Sequence, residues 1–184
     1  MALVIWVLLA LVLLIVMMFI YYFNRFVVLS NRIDNSLSQI DVQLKKRADL
    51  VPNLVNIVKG YVKHEKRLIT EVTNARKSLL AAKDISAKVK AGDQLQSALK
   101  SIFALAENYP NLKANENFLH LQQELSAIED KIAYARQYYN DAILVYNNSC
   151  TTFPGLLFAK IYNKKQKEFL KISPVEKVAP KIEF

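Results

Sequence analysis

Glycine and proline are scarce: three glycines and five prolines in 184 residues. That scarcity excludes loop-rich and turn-rich architectures and predicts long, uninterrupted helices. Cysteine occurs once, as Cys150, so no intrachain disulfide forms, and no early cysteine is there to carry a lipid anchor. Only two histidines exist. Helical proteins hold paired metals with a Glu on each of two helices and two Glu-x-x-His pairs. Here His64 is followed directly by Glu65, and His120 lies four residues after Glu116, so neither has that spacing. Zincin-type histidine pairs, glycine-rich phosphate loops and G-x-S-x-G elbows are missing too. Cys150 has no histidine near it in sequence. The expectation is no enzyme, no metal and no cofactor; a helical metal-binding enzyme is the rival.

Charge is missing from one stretch. Residues Ala2 to Phe23 read ALVIWVLLALVLLIVMMFIYYF, without a charge, a glycine or a proline. At about 1.5 Å per residue this helix spans the roughly 30 Å of a bilayer core. Trp6 lies near one end and Tyr21 and Tyr22 at the other, where amphipathic rings favour the interface. Arg25 follows, with a stem long enough to carry its guanidinium to the headgroups. A cleaved signal peptide would need a positive leader, a shorter apolar core and a small-residue cleavage site. A retained single-pass anchor fits better. No side-chain charge precedes it and the basic residues Arg25, Arg32, Lys45, Lys46 and Arg47 follow it, which places the body on the cytoplasmic side and the amino terminus outside.

All 25 lysines and arginines lie beyond the apolar run, so the formal charge of +9 belongs to the rest of the chain. A basic body tethered to a membrane is attracted to anionic lipid headgroups. No basic stretch interleaved with aromatics marks a nucleic-acid-binding module, and no nucleic-acid partner is expected.

Beyond Phe26 apolar residues recur at helical spacing. Ile33, Leu37, Ile40 and Leu44 share one face, which predicts one helix from the membrane to about Lys46. Asp49 then has the character of an N-cap, with Pro52 in the first turn of a second helix from Leu50 to about Ala82; a kink at Pro52 without chain reversal is the alternative. The seam of that helix is Leu54, Val58, Tyr61, Glu65, Leu68, Val72, Ala75 and Leu79. Glu65 interrupts it, either rotated outward or paired with a base. A third helix is predicted over Ala87–Glu107, with Leu95, Leu99, Ile102 and Ala106 on one side. After Pro110, with Asn115 or Asn117 as cap, a fourth carries Phe118, Leu121, Leu125, Ile128, Ile132, Ala135, Tyr139, Ala142 and Tyr146 in three–four spacing. The fold class is all-α: one N-terminal transmembrane helix continuing into an antiparallel four-helix bundle with long helices. The domains are an anchor (1–25), a helical body (26–153) and a basic, partly apolar tail (154–184). An up-and-down bundle returns the chain to its starting end. The tail, with Lys160, Lys164 and Lys165, then lies near the lipid surface, lodged in it or solvated; its last dozen residues read as unstructured.

Three blocks carry a resemblance: DVQLKKRADLVPNLVNIVKGYVKHE (Asp41 to Glu65), ENYPNLKANENFLHLQQEL (Glu107 to Leu125) and IAYARQYYNDAILVYN (Ile132 to Asn147), followed by Phe153–Pro154. Together they closely resemble the signature of the bacterial LemA family, over roughly Arg25 to Pro154. The resemblance implies a short amino terminus, one transmembrane helix and a four-helix, mostly antiparallel cytoplasmic bundle at the bacterial inner membrane. It brings no established catalytic residues. One branch of the family takes part in magnetosome formation, and some members are encoded beside a membrane metalloprotease, so a protease is a candidate partner.

Asp41 and Lys45 stand four apart and suit a helical ion pair. Asp41, Arg47, Asp49 and Asn53, with the turn at Tyr109, Pro110 and Asn111, are read either as capping and bundle-specifying groups or as an interaction surface. Tyr134 and Tyr138 lie off the fourth seam and suit an interface. The membrane-interface set is Trp6, Tyr21, Tyr22, Arg25, Lys160, Lys164 and Lys165. The function expected is an anchored, non-enzymatic scaffold or interaction protein whose partners are membrane lipids, further copies of itself and other membrane proteins.

Overall fold

A computed structural model describes residues 1–62 and 65–170. Among these the protein has six α-helices and no strand: α1 (Ala2–Tyr61), α2 (Lys66–Ala81), α3 (Ile85–Ala106), α4 (Pro110–Lys113), α5 (Glu116–Thr151) and α6 (Gly155–Ile161). The all-helical expectation holds. His64, the latter part of the tail and its prolines Pro174 and Pro180 lie outside the described residues.

The predicted turn at Pro52 does not form. Instead α1 runs for 60 residues with Pro52 inside it, and the break falls at 62–65. Asp49 caps nothing; its carboxylate takes Lys45 Nζ at 2.9 Å, one turn back on the same helix. A proline inside a helix costs about 3 kcal/mol, because its missing N–H deserts the carbonyl four residues earlier and its ring crowds that group. Here the deserted carbonyl belongs to Ala48, and Arg76 Nε of α2 donates to it at 2.7 Å. A charged donor from a neighbouring helix thus replaces the lost backbone bond, and the helix continues. Arg76→Ala is expected to cost about 2 kcal/mol, in the range of hydrogen bonds to charged groups. On a Pro52→Ala background, where residue 52 regains its N–H, the same change should cost about half as much. Denaturant melts of the four proteins test this; equal costs on both backgrounds would show that Arg76 acts through something other than the deserted carbonyl.

The early end of α1 also rewrites the expected second seam. Leu54 and Val58 are buried as predicted, but Tyr61 is exposed and Val62 takes its place inside. Glu65 leaves the seam altogether, as the residue before α2. Downstream the pattern holds better. Asp84 caps α3, its carboxylate accepting from Ala87 N at 2.8 Å. Pro110 opens the single turn of α4. Asn115 rather than Asn117 caps α5, accepting from Phe118 N at 3.0 Å. All nine seam residues of α5 are buried.

The chain divides into two compact units. The first combines Met1–Ser36 with Gln137–Phe169, so it contains the apolar run, the second part of α5 and α6. The second is made by Leu37–Arg136 together with Leu170. In it α2 packs along α3, and the interior is built from Ile40, Leu44, Leu54, Leu95, Leu99, Ile102, Leu112 and Ile132.

Candidate membrane-interface site

In the first unit the apolar run is exposed except at Met18 and Tyr22, and it is long and apolar enough to cross a membrane. Burial begins at Phe26, Leu29 and Ile33, one turn apart on the face that meets the protein. The last turns of the run are not bare, because α6 packs on them. Phe158 stacks on Tyr22 with centroids 4.6 Å apart and meets Phe19 edge-on at 5.0 Å. Tyr162, one turn later, sets its ring edge-on to Phe23 at 5.7 Å and donates its hydroxyl proton to the Phe19 carbonyl at 2.8 Å. Phe26 continues the cluster to Tyr146 of α5. Aromatic pairs of this kind contribute about 0.5–1.5 kcal/mol each beyond their buried area.

Local chemistry explains why α6 stops where it does. Asn163 has φ of 50°, a left-handed conformation that asparagine tolerates better than most residues. Lys164 N then reaches the Ala159 carbonyl at 2.8 Å and Asn163 N the Lys160 carbonyl at 3.2 Å, closing the helix with the paired bonds of a Schellman end. The chain beyond is held by Asn147, whose side-chain amide donates to the Lys167 carbonyl and accepts from the Lys167 N–H, both at 2.9 Å. Lys167 Nζ sits 5.4 Å over the Tyr146 ring. The tail through Lys167 is therefore built onto the first unit, and α6 starts at Gly155, where the sequence pattern places only the end of the bundle.

The predicted interface residues fall as follows. Trp6 is exposed near the start of the run, and Tyr21 accepts from Arg25 Nη1 at 3.0 Å. Arg25 also donates from Nε to Ser149 Oγ at 3.2 Å, tying α1 to α5. Tyr22 is half-covered by Phe158. Lys160 and Lys165 are exposed and Lys164 is half-buried. Cys150 is buried, and burial pushes its thiol above the ordinary value, opposed by the Tyr146 hydroxyl and then Lys164.

The residues of the expected interaction surface fall as follows. Arg47 is 1 % exposed; it pairs with Glu129 of α5 and donates to the Gly92 carbonyl at 3.4 Å. Burial, then the nearby Arg136, opposed by Asp93, brings its pKa down to about 10. Arg136 in turn holds Asp93 at 2.6 Å. The expected Asp41–Lys45 pair is also replaced: Asp41 takes Lys88 of α3 at 2.5 Å. Asn53 and Asn111 are exposed and Tyr109 is half-buried, while Tyr134 is 71 % exposed and Tyr138 is also exposed. Sequence reading missed Asp93, Glu129 and Arg136. A signal was present, since Glu129 and Arg136 each follow a seam residue of α5 and stand seven apart, on one face.

A groove of about 620 Å³ over Leu44, Leu79 and Leu80 is bordered by Asp41, Lys45, Lys46 and Lys88, one carboxylate among three ammonium groups. Among the described residues no three His, Cys, Asp or Glu side chains converge as metal ligands do. His120 is exposed and lies 3.9 Å from Glu124.

The chain is similar to magnetosome protein MamQ 2 of Paramagnetospirillum magneticum, at 24 % identity over 83 % of this chain and 65 % of the relative. Magnetosome protein MamQ of Magnetospirillum gryphiswaldense is 23 % identical over the same shares. Protein LemA of Metamycoplasma hominis is 27 % identical over 67 % of this chain and 57 % of the relative. The chain thus spans less than two thirds of the length of each. The model of the LemA family matches residues 36–184, starting shortly before the first block at Asp41, later than Arg25, where the resemblance begins, and taking in the tail beyond Pro154. On that match, which covers most of its length, the chain belongs to the LemA family.

Proposed function

We propose that the protein is a membrane-anchored, non-enzymatic scaffold. In this reading α1 crosses the bacterial inner membrane with its amino terminus outside and carries a basic, antiparallel four-helix body along the cytoplasmic face, where copies self-associate. The observation behind it is the continuity of α1: an exposed apolar run passes without a break into the helix that builds the body. The polar residues fit the same reading. Arg47, Arg76, Lys88 and Arg136 are all engaged in fastening one helix to another, as a body needs when its task is to hold a position. Basic residues after the run favour the cytoplasmic side, and confinement to a plane raises the effective concentration of copies, so that weak contacts suffice for assembly. The likeness to magnetosome proteins supports a part in building an assembly rather than in converting a metabolite.

The full chain at micromolar concentration in mild detergent should scatter light as a multiple of its 21.1 kDa mass after correction for bound detergent, and cross-linking in native membranes should give the same multiple. A single copy by both measurements would sink the self-assembling scaffold. Protease added outside intact spheroplasts should spare the body; its digestion there would reverse the orientation.

A further inference from the structure

The helix α6 has two apolar faces and uses one. Phe158 and Tyr162, four residues apart, are spent on α1. Leu157 and Ile161, also four apart, point away and are 50 % and 58 % exposed, and Phe153 just before the helix is 81 % exposed. Leu156 is exposed as well. So many large apolar side chains at one place on a short helix need a cover.

We infer that the cover is the lipid leaflet: α6 is a wedge that lies in the membrane interface beside the end of α1, a second attachment of the chain to the bilayer. This rests on α1 spanning the membrane, and it follows from where α6 is fixed along α1. The Tyr162 hydroxyl is bonded to the carbonyl of Phe19 and Phe158 touches both Phe19 and Tyr22. Phe19 lies four residues, or about 6 Å, inside the end of the apolar run. A helix held at that level has its outer face at the boundary of headgroups and acyl chains, the depth at which interfacial helices seat their apolar residues. The apolar surface also continues on α1 past the run, at Val27 and Val28, both exposed. Charge agrees with this depth. Lys160 and Lys165 are exposed beside the wedge, and their stems are long enough to lift the ammonium groups to the lipid phosphates. With α6 fixed to one side of α1 and seated in the leaflet, the rotation of α1 about its own axis is fixed, which a lone span leaves free.

Tryptophan depth measurements separate this inference from the reading beneath it, because Trp6, in the anchor, is the only tryptophan. The full chain is reconstituted in vesicles of phosphatidylethanolamine and phosphatidylglycerol, with and without brominated lipid. Wild-type emission, from Trp6, should be quenched by bromine. Trp6→Phe combined with Leu157→Trp, and separately with Ile161→Trp, moves the probe to α6 on exposed positions that leave the packing intact. Both should show blue-shifted emission, quenching by lipid brominated near the headgroup, and iodide quenching about fivefold weaker than Trp6→Phe with Leu119→Trp, an exposed site at the start of α5. If Trp6 is quenched by bromine but both α6 probes respond to iodide like the control, the wedge is wrong and the anchor stands. Shielding from both quenchers would mean that protein covers α6, which also overturns the inference. A Trp6 untouched by brominated lipid removes the anchor and the wedge together.

Discussion

Glu129→Ala is expected to destabilise the protein by about 3 kcal/mol, the cost of stripping the counter-charge from a buried ion. Arg47 is among the largest fully buried side chains, and its remaining direct hydrogen bond, to the Gly92 carbonyl, is long at 3.4 Å. Its Nε already lacks a hydrogen-bond partner among the described residues. Glu129 is two-thirds buried, so its loss leaves the guanidinium in the protein interior with only the more distant Asp93 to offset its charge. The opposite change should be mild. Arg47→Met keeps most of the volume, removes the ion and lets Glu129 turn to water, which makes it neutral or even stabilising. The lowered pKa agrees in sign. Because the folded value of about 10 lies below that of an ordinary guanidinium, the unfolded chain binds the extra proton between them. This group therefore adds stability only as the pH rises through that window, and at neutral pH it stays charged and costly. Urea melts followed by circular dichroism, with unchanged m-values, give the comparison. A cost for Arg47→Met that exceeds the cost for Glu129→Ala would show that the arginine's contacts, and not the pairing of its charge, hold α1 to α5.

Arg47 also shows where sequence reading stops. Apolar periodicity places α3 and α5 within a few residues, because burying a seam is the same physics in a pattern and in a fold; Leu95, Leu99 and Ile102 are inside as their spacing requires. A charge has no such signature. Arg47 reads as surface beside Lys45 and Lys46, and only the arrival of Glu129, 82 residues away, makes its burial tolerable. Pro52 misleads in the same manner. Its cost is local and visible in the chain, whereas the group that offsets it, Arg76, belongs to another helix. The apolar run at the start of α1, long enough to cross a membrane, was legible from composition alone. Residues 155–167 were legible in part: a mixed basic and apolar tail is visible, but two apolar pairs on neighbouring faces of a short helix are too few to form a pattern. The groups that place that helix, Tyr162 on the Phe19 carbonyl and Asn147 on Lys167, are long-range hydrogen bonds that no spacing announces.

The same segment carries the second large effect. Gly155→Ala should undock α6, with a local cost of about 3 kcal/mol, at the upper end for overpacking a tight site. A Cβ at residue 155 would stand 2.3 Å from the Ser149 carbonyl oxygen and 3.4 Å from the Tyr22 ring. The first neighbour is backbone, locked in the last turns of α5, so it cannot give way as a side-chain tip can. Gly92 is the instructive contrast. A Cβ there would meet only the end of the Leu44 side chain, and Gly92→Ala should cost less because a rotamer can change. At Gly155 the way out is for α6 to swing away from α1, which breaks the Phe158–Tyr22 stack and the Tyr162 hydrogen bond together. Cys150 reports the event without any added label site, since it is the sole thiol and is buried in the same unit. Losing 3 kcal/mol of docking raises the open fraction by about a hundredfold, and the rate of maleimide modification should rise by a similar factor while helicity by circular dichroism stays close to wild type. Burial holds the thiol protonated in the docked state, so both proteins are labelled through the opened thiolate: both rates should rise from pH 6 to pH 8 while their ratio stays the same. An unchanged labelling rate would mean that α5 yields at Ser149 and that α6 is not keyed to α1 through Gly155.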